Sequence, residues 1–140
     1  MMRTRVCVCV FCAVFGLALA LHLLALAPRA SAQAPAKKGP VSFINDVAPI
    51  LKENCYACHE SKKRKGKLDM TTFESFRKGG DHDDPVVPGK PDDSYIIDVL
   101  TAKDNSRMPP KDTGDPLPPA KIAIITQWIK EGAKLDPSLA

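Results

Sequence analysis

The apolar positions of this chain form one long block near the start and four short periodic runs after it. From Val6 to Ala27 the chain is apolar apart from His22, with Arg3 and Arg5 ahead of it and Ala30-Ser31-Ala32 behind. A basic start, an apolar run and a small-x-small step make a secretory signal peptide over residues 1–32, cut after Ala32. The run is also long enough to span a bilayer, so an uncut membrane anchor is the alternative. Either way the remainder is exported, to the periplasm or beyond. Residues 33–40, QAPAKKGP, read as a flexible leader, and residues 41–136 as one domain.

Between Val41 and Asn54 the apolar residues Phe43, Val47, Ile50 and Leu51 keep helical spacing. Pro49 sits awkwardly there, because it lacks the N–H that bonds back four residues. Either the helix starts near Asn45, with Pro49 in its first turn, or it bends. A second short helix is predicted from a Thr71-x-x-Glu74 capping box, burying Phe73 and Phe76 and stopping at Gly79-Gly80. Asp92 or Asp93 caps a third through Tyr95, Ile96, Val99 and Leu100. The last runs from about Pro118 to Glu131, buries Ile122, Ile125, Trp128 and Ile129, and ends at Gly132. Ser61–Lys67 reads as a solvated basic loop, and Asp104–Pro119, with five prolines, excludes regular structure. No stretch alternates as a strand. The class is all-α, four short helices joined by long loops. Loops this long in a small domain need something to wrap around, and a flat apolar cofactor would serve.

Charge and cysteine content narrow the chemistry. Without Arg3, Arg5 and Arg29 the 20 Lys and Arg fall to 17 against 16 Asp and Glu, a net of +1. That balance is no footprint of nucleic-acid binding. Cys7, Cys9 and Cys12 lie in the apolar block, so the domain keeps only Cys55 and Cys58, inside ENCYACHE. One pair completes neither a four-cysteine zinc site nor a disulfide framework. A redox dithiol needs a βαβ setting that is lacking, and a disulfide across so short a span constrains little. Adjacent Cys58 and His59 are hard to aim together at one tetrahedral ion. C-x-x-C-H is also the spacing of c-type haem attachment. One helical turn sets both sulfurs along one haem edge, where each adds across a vinyl group, and the next residue turns its imidazole under the iron. Cys55 and Cys58 are therefore the candidate thioethers and His59 the proximal ligand.

A sixth ligand has three candidates. Met70 follows His59 too closely to reach the far face with ease, and His82 sits in the acidic loop DHDD. Met108, in SRMPPK, comes late in the chain, where Pro109 and Pro110 stiffen the backbone around it. It is favoured, with His82 and an open position as the alternatives. Trp128 reads as core, with an N–H that a haem propionate would suit. The Asp81, Asp83 and Asp84 cluster lacks the ordered spacing of a calcium loop and reads as a solvated turn.

FINDVAPILKENCYACHE, VVPGKPDDSYII, RMPPK and IITQWIKEGA together resemble the cytochrome c domain widespread in planctomycete proteins, a relative of class I cytochrome c. The resemblance covers residues 41–135. It implies one haem c, His59 and Met108 as axial ligands, and first and last helices that cross, with Phe43 meeting the face of Ile125 and Trp128. The expected function is an exported monohaem electron carrier rather than an enzyme. It would serve separate redox proteins that dock near Lys62–Lys67, bind no nucleic acid, and meet a membrane only through an uncut N-terminal segment. A haem enzyme or gas sensor with a displaceable sixth ligand is the alternative.

Overall fold

The structure, a computed structural model, describes residues 39–136. The signal segment, its Ala30-Ser31-Ala32 site and most of the 33–40 leader lie outside the described residues. Among those described there are four helices and no strand, only an isolated bridge between Gly80 and Asp83, in keeping with the all-α expectation. No helix there is long and apolar enough to cross a membrane.

The first periodic run opens as a π turn, Phe43–Val47, and continues as helix α1, Ala48–Asn54. Ser42 caps the turn, its hydroxyl accepting from the Asn45 N–H at 2.9 Å. The wide turn accommodates Pro49. The Ala48 N–H still bonds back to the Phe43 carbonyl, and the donor Pro49 lacks falls in the first turn of α1.

Helix α2, Phe73–Lys78, begins from a different cap than Thr71. Asp69 Oδ1 accepts from both the N–H and the hydroxyl of Thr71, at 2.9 and 2.6 Å. The box forms one residue on, between Thr72 and Ser75, each side chain accepting from the other's backbone N–H. Gly79 ends α2 at φ 74°, ψ −162°, a conformation essentially reserved for glycine.

Helix α3, Tyr95–Thr101, is also capped elsewhere than expected. Asp92 and Asp93 belong to a 3-10 turn, Pro91–Asp93, and the cap position is Ser94. Its buried hydroxyl accepts from the Val87 N–H at 2.9 Å and donates to the Lys90 carbonyl at 2.8 Å. It stitches the preceding loop instead of the helix start. Helix α4, Pro119–Lys130, falls within a residue of its predicted bounds.

An aromatic cluster joins the two ends of the domain. The Phe43 ring lies 5.0 Å from Phe73, edge-on, and 5.4 Å from Trp128, while Phe76 is 6.3 Å from Trp128. Each such pair adds about 0.5–1.5 kcal/mol to the area it buries. Phe43 thus meets Trp128, and Ile125 shares the same core. Ile122 and Phe73 pack against that core only half-buried. The Trp128 N–H donates to the Lys134 carbonyl at 2.9 Å, so it is committed inside the fold rather than held ready for a propionate. Two carboxylates latch the start of the domain: Glu131 accepts from the Val41 N–H at 2.7 Å and Asp136 from the Ile44 N–H at 2.9 Å.

Candidate functional site

Past Asn54 the chain makes one more turn before leaving the α1 axis. The Cys55 N–H donates to the Leu51 carbonyl at 2.8 Å, and the N–H groups of Cys58 and His59 both reach the Cys55 carbonyl at 3.0 Å. Cys55, Cys58 and His59 therefore share a single turn continuous with the helix. Both thiols are free and half-buried. Burial, with the nearby Cys58, pushes the Cys55 thiol up to about 11. A redox dithiol requires the reverse, a depressed thiol. Among the described residues no three His, Cys, Asp or Glu side chains are grouped to hold a metal ion.

His59 is oriented from outside its own turn. Its Nδ1 lies 2.9 Å from the Lys65 carbonyl oxygen. A carbonyl only accepts, so the ring carries its hydrogen on Nδ1 and leaves the Nε2 lone pair for a metal. Burial lowers the His59 pKa, which keeps the ring neutral as a ligand must be. The loop that supplies this carbonyl is the one the sequence marks as basic and solvated. Its side chains are indeed exposed, but its backbone is not idle. The Lys65 N–H donates to the Cys58 carbonyl at 3.0 Å and the Met70 N–H to the His59 carbonyl at 2.8 Å. Arg64, Gly66 and Lys67 have φ of 41°, 63° and 55°, a left-handed run that folds the loop back on the cysteine turn.

The loop is braced in turn by the segment after α2. The Asp81 N–H donates to the Gly66 carbonyl at 2.9 Å and Lys67 pairs with Asp81 at 2.9 Å. Asp84 binds Arg77 at 2.7 Å. These acids are thus partners of cations within the fold.

The three sixth-ligand candidates occupy different settings. Met70 is buried in the core. His82 is exposed and stacks on Tyr95 with ring centroids 4.4 Å apart. Met108 lies on the loop after α3, its N–H donating to the Val99 carbonyl at 2.8 Å and its side chain 36% exposed. The structure ties Cys55, Cys58 and His59 to one another through the backbone, and ties Met108 to α3 instead.

Two contributors escape sequence reasoning. The Lys65 carbonyl carries no side-chain signal, although Gly66 beside it hints at a special backbone. Arg107, next to Met108, is only 7% exposed. Its Nη2 donates to the Gly114 carbonyl at 3.0 Å, while its Nη1 is buried with no partner. It lines a cleft of about 1000 Å³ between the end of α3, the proline-rich loop and α4.

Residues 55–112 match the family model of planctomycete cytochrome C. No curated protein and no solved structure matches the chain. The cytochrome match opens on Cys55 and closes after RMPPK, so it takes in the cysteine turn, His59 and Met108. It is narrower than the resemblance over residues 41–135. A cytochrome C domain is a haem-binding domain, and a C-x-x-C-H site is the kind that holds haem c. The residues of this chain fit that group: two unpaired thiols and a neutral, tautomer-fixed imidazole stand on one turn.

Proposed function

We propose that the protein is an exported electron carrier with a single covalently bound haem c. Cys55 and Cys58 would hold it as thioethers, each S–H adding across a vinyl group, with His59 and Met108 as the axial ligands. Bound there, haem supplies an iron that accepts and releases one electron at a time. The observation that carries this reading is the 2.9 Å contact between His59 Nδ1 and the Lys65 carbonyl. A ring fixed this way presents the same nitrogen to the iron in both oxidation states, so little reorganisation accompanies electron transfer. The thioether of Met108, soft and neutral, favours the ferrous state and raises the potential. With both axial positions filled, the iron offers no site to a substrate.

The partners would be separate redox proteins. Lys62 to Lys65 are exposed beside the cysteine turn and would steer an acidic surface towards it. Lys67 contributes less to such a patch, because Asp81 already holds it. Export rests on the N-terminal segment, and an uncut segment would add a membrane attachment.

The partial exposure of Met108 on its loop favours one second reading, a haem enzyme or gas sensor whose sixth ligand is easily displaced. Spectra with and without carbon monoxide separate the two. For a carrier, the native ferrous protein is low-spin and takes up carbon monoxide poorly, and the haem stays with the polypeptide in a denaturing gel. Met108→Ala admits carbon monoxide and lowers the potential, while His82→Ala and Met70→Leu leave the spectrum nearly unchanged. Rapid uptake by native protein, or a Met108→Ala spectrum equal to the native one, overturns the carrier reading in favour of the second.

A further inference from the structure

Three successive carbonyls of the cysteine turn each receive a donor from residues 63–70. Lys63 Nζ donates to the Ala57 carbonyl at 2.7 Å, the Lys65 N–H to the Cys58 carbonyl at 3.0 Å and the Met70 N–H to the His59 carbonyl at 2.8 Å. The last two are backbone bonds, which any residue but proline could make. The first belongs to a side chain, and it brings an ammonium onto the short stretch between the two thiols. Lys63 and Ala57 are both exposed. The ion pairs among the described residues engage Lys67, Arg77, Lys90 and Lys121, and Lys63 is in none of them. A carboxylate is a stronger acceptor for an ammonium than a neutral carbonyl is. Lys63 therefore has one partner in the free chain, the Ala57 carbonyl, and a better one in any acidic surface that meets the loop.

We propose that Lys63 couples the docking of an acidic partner to the reduction potential of the iron. The inference rests on the haem reading above. In the free protein the ammonium rests on the turn that carries Cys55, Cys58 and His59, and a positive charge there favours the ferrous state. A partner that presents Asp or Glu side chains to the loop takes the ammonium into an ion pair, cancels its field and lowers the potential. The electron is thus held more firmly by the free carrier than by the docked one. The partner this arrangement fits is an electron acceptor with an acidic docking face, which takes one electron from the ferrous site.

The test uses the full haem-loaded protein and the variants Lys63→Gln, Lys63→Arg and Lys62→Gln. Each is titrated with polyglutamate at low ionic strength while spectroelectrochemistry follows the midpoint potential, with thermal unfolding and haem staining of a denaturing gel alongside. The native potential should fall as polyglutamate saturates and recover in about 0.5 M salt, where surface charges are screened. Lys63→Gln should start low and fall little further. A charge near the surface acts through a high effective dielectric, so the shift should be about two- to fivefold in the ferrous to ferric ratio at fixed applied potential. Lys63→Arg, which keeps the charge, should behave as native. Lys62→Gln loses the same charge from an exposed neighbour. It should start near the native potential and still respond at saturating polyglutamate. Equal starting potentials for Lys63→Gln and Lys62→Gln, or equal polyglutamate responses for Lys63→Gln and native protein, overturn the coupling and leave the haem reading standing. A Lys63→Gln that unfolds earlier but keeps the native potential does the same, because Lys63 is then only a brace for the turn. A native chain without covalent haem overturns both.

Discussion

Gly80→Ala should weaken the site from a distance, through the loop that orients His59. Gly80 packs directly against the backbone of Gly66 to Leu68. A Cβ added there would overlap the Gly66 carbonyl oxygen, and would lie 2.8 Å from the Leu68 nitrogen and 3.0 Å from the Lys67 carbonyl carbon. Ordinary contact between such atoms is about 3.5 Å, so backbone rather than a flexible side chain must yield by half an ångström or more. Overpacking of this kind costs about 1–3 kcal/mol. For a domain of this size that lowers the unfolding midpoint by about 5–20 °C. The displaced segment contains the Gly66 carbonyl that accepts from Asp81, and it adjoins the Lys65 carbonyl that accepts from His59. His59, the proposed axial ligand, should therefore lose part of its fixed orientation together with the stability. Gly89→Ala is the control: φ there is +79°, but an added Cβ meets nothing within 4 Å. It isolates the conformational cost of about 1–2 kcal/mol. Thermal unfolding followed by circular dichroism gives the stability, and paramagnetic NMR of the ferric protein reports the axial ring. A Gly80→Ala midpoint no lower than that of Gly89→Ala, with unchanged ring resonances, would refute the argument.

Acid should unfasten the start of the domain. Gln127 and the Val41 N–H hold the Glu131 carboxyl below its ordinary value, and the Ile44 N–H does the same for Asp136. Because both folded values are depressed, their stabilisation is present above the ordinary carboxylate range and disappears as pH falls through the lowered values. Glu131→Gln should thus be less stable than native protein at neutral pH, with the gap closing as pH falls through the lowered Glu131 value, and a gap of constant size across the acid range would refute this. The exported protein should begin at Gln33. Intact-mass measurement of periplasmic material checks this, and full-length chain recovered in membranes would establish the anchor instead.

The parts of the fold legible in the sequence are those set by side-chain period. Phe43, Val47, Ile50 and Leu51, and later Ile125, Trp128 and Ile129, repeat at helical spacing, and all are buried where that spacing puts them. The caps misled because capping residues have competing partners. Thr71 satisfies the local capping pattern, but Asp69 sits two residues before it and takes both its donors. Asp92 and Asp93 are good caps by type, yet Pro91 begins a tight turn that absorbs them. At the site, the cysteines and His59 are legible because attachment chemistry dictates residue type at each position. Their support is not. Lys65 acts through a carbonyl that every residue possesses, and the burial of Arg107 depends on how a proline-rich loop closes over α4.

The two proposed axial ligands are held with very different stiffness. His59 is fixed by its own turn, by the Met70 N–H on its carbonyl and by the Lys65 carbonyl on its ring, and the last of these is braced from the Gly79–Asp84 segment. Met108 has a backbone bond to Val99 and a side chain more than a third exposed. If haem is held as proposed, a perturbation that opens the iron should therefore act first on the Met108 side. On the proposed ligation, that asymmetry would put the difference between carrier and sensor in one short loop rather than in the attachment motif.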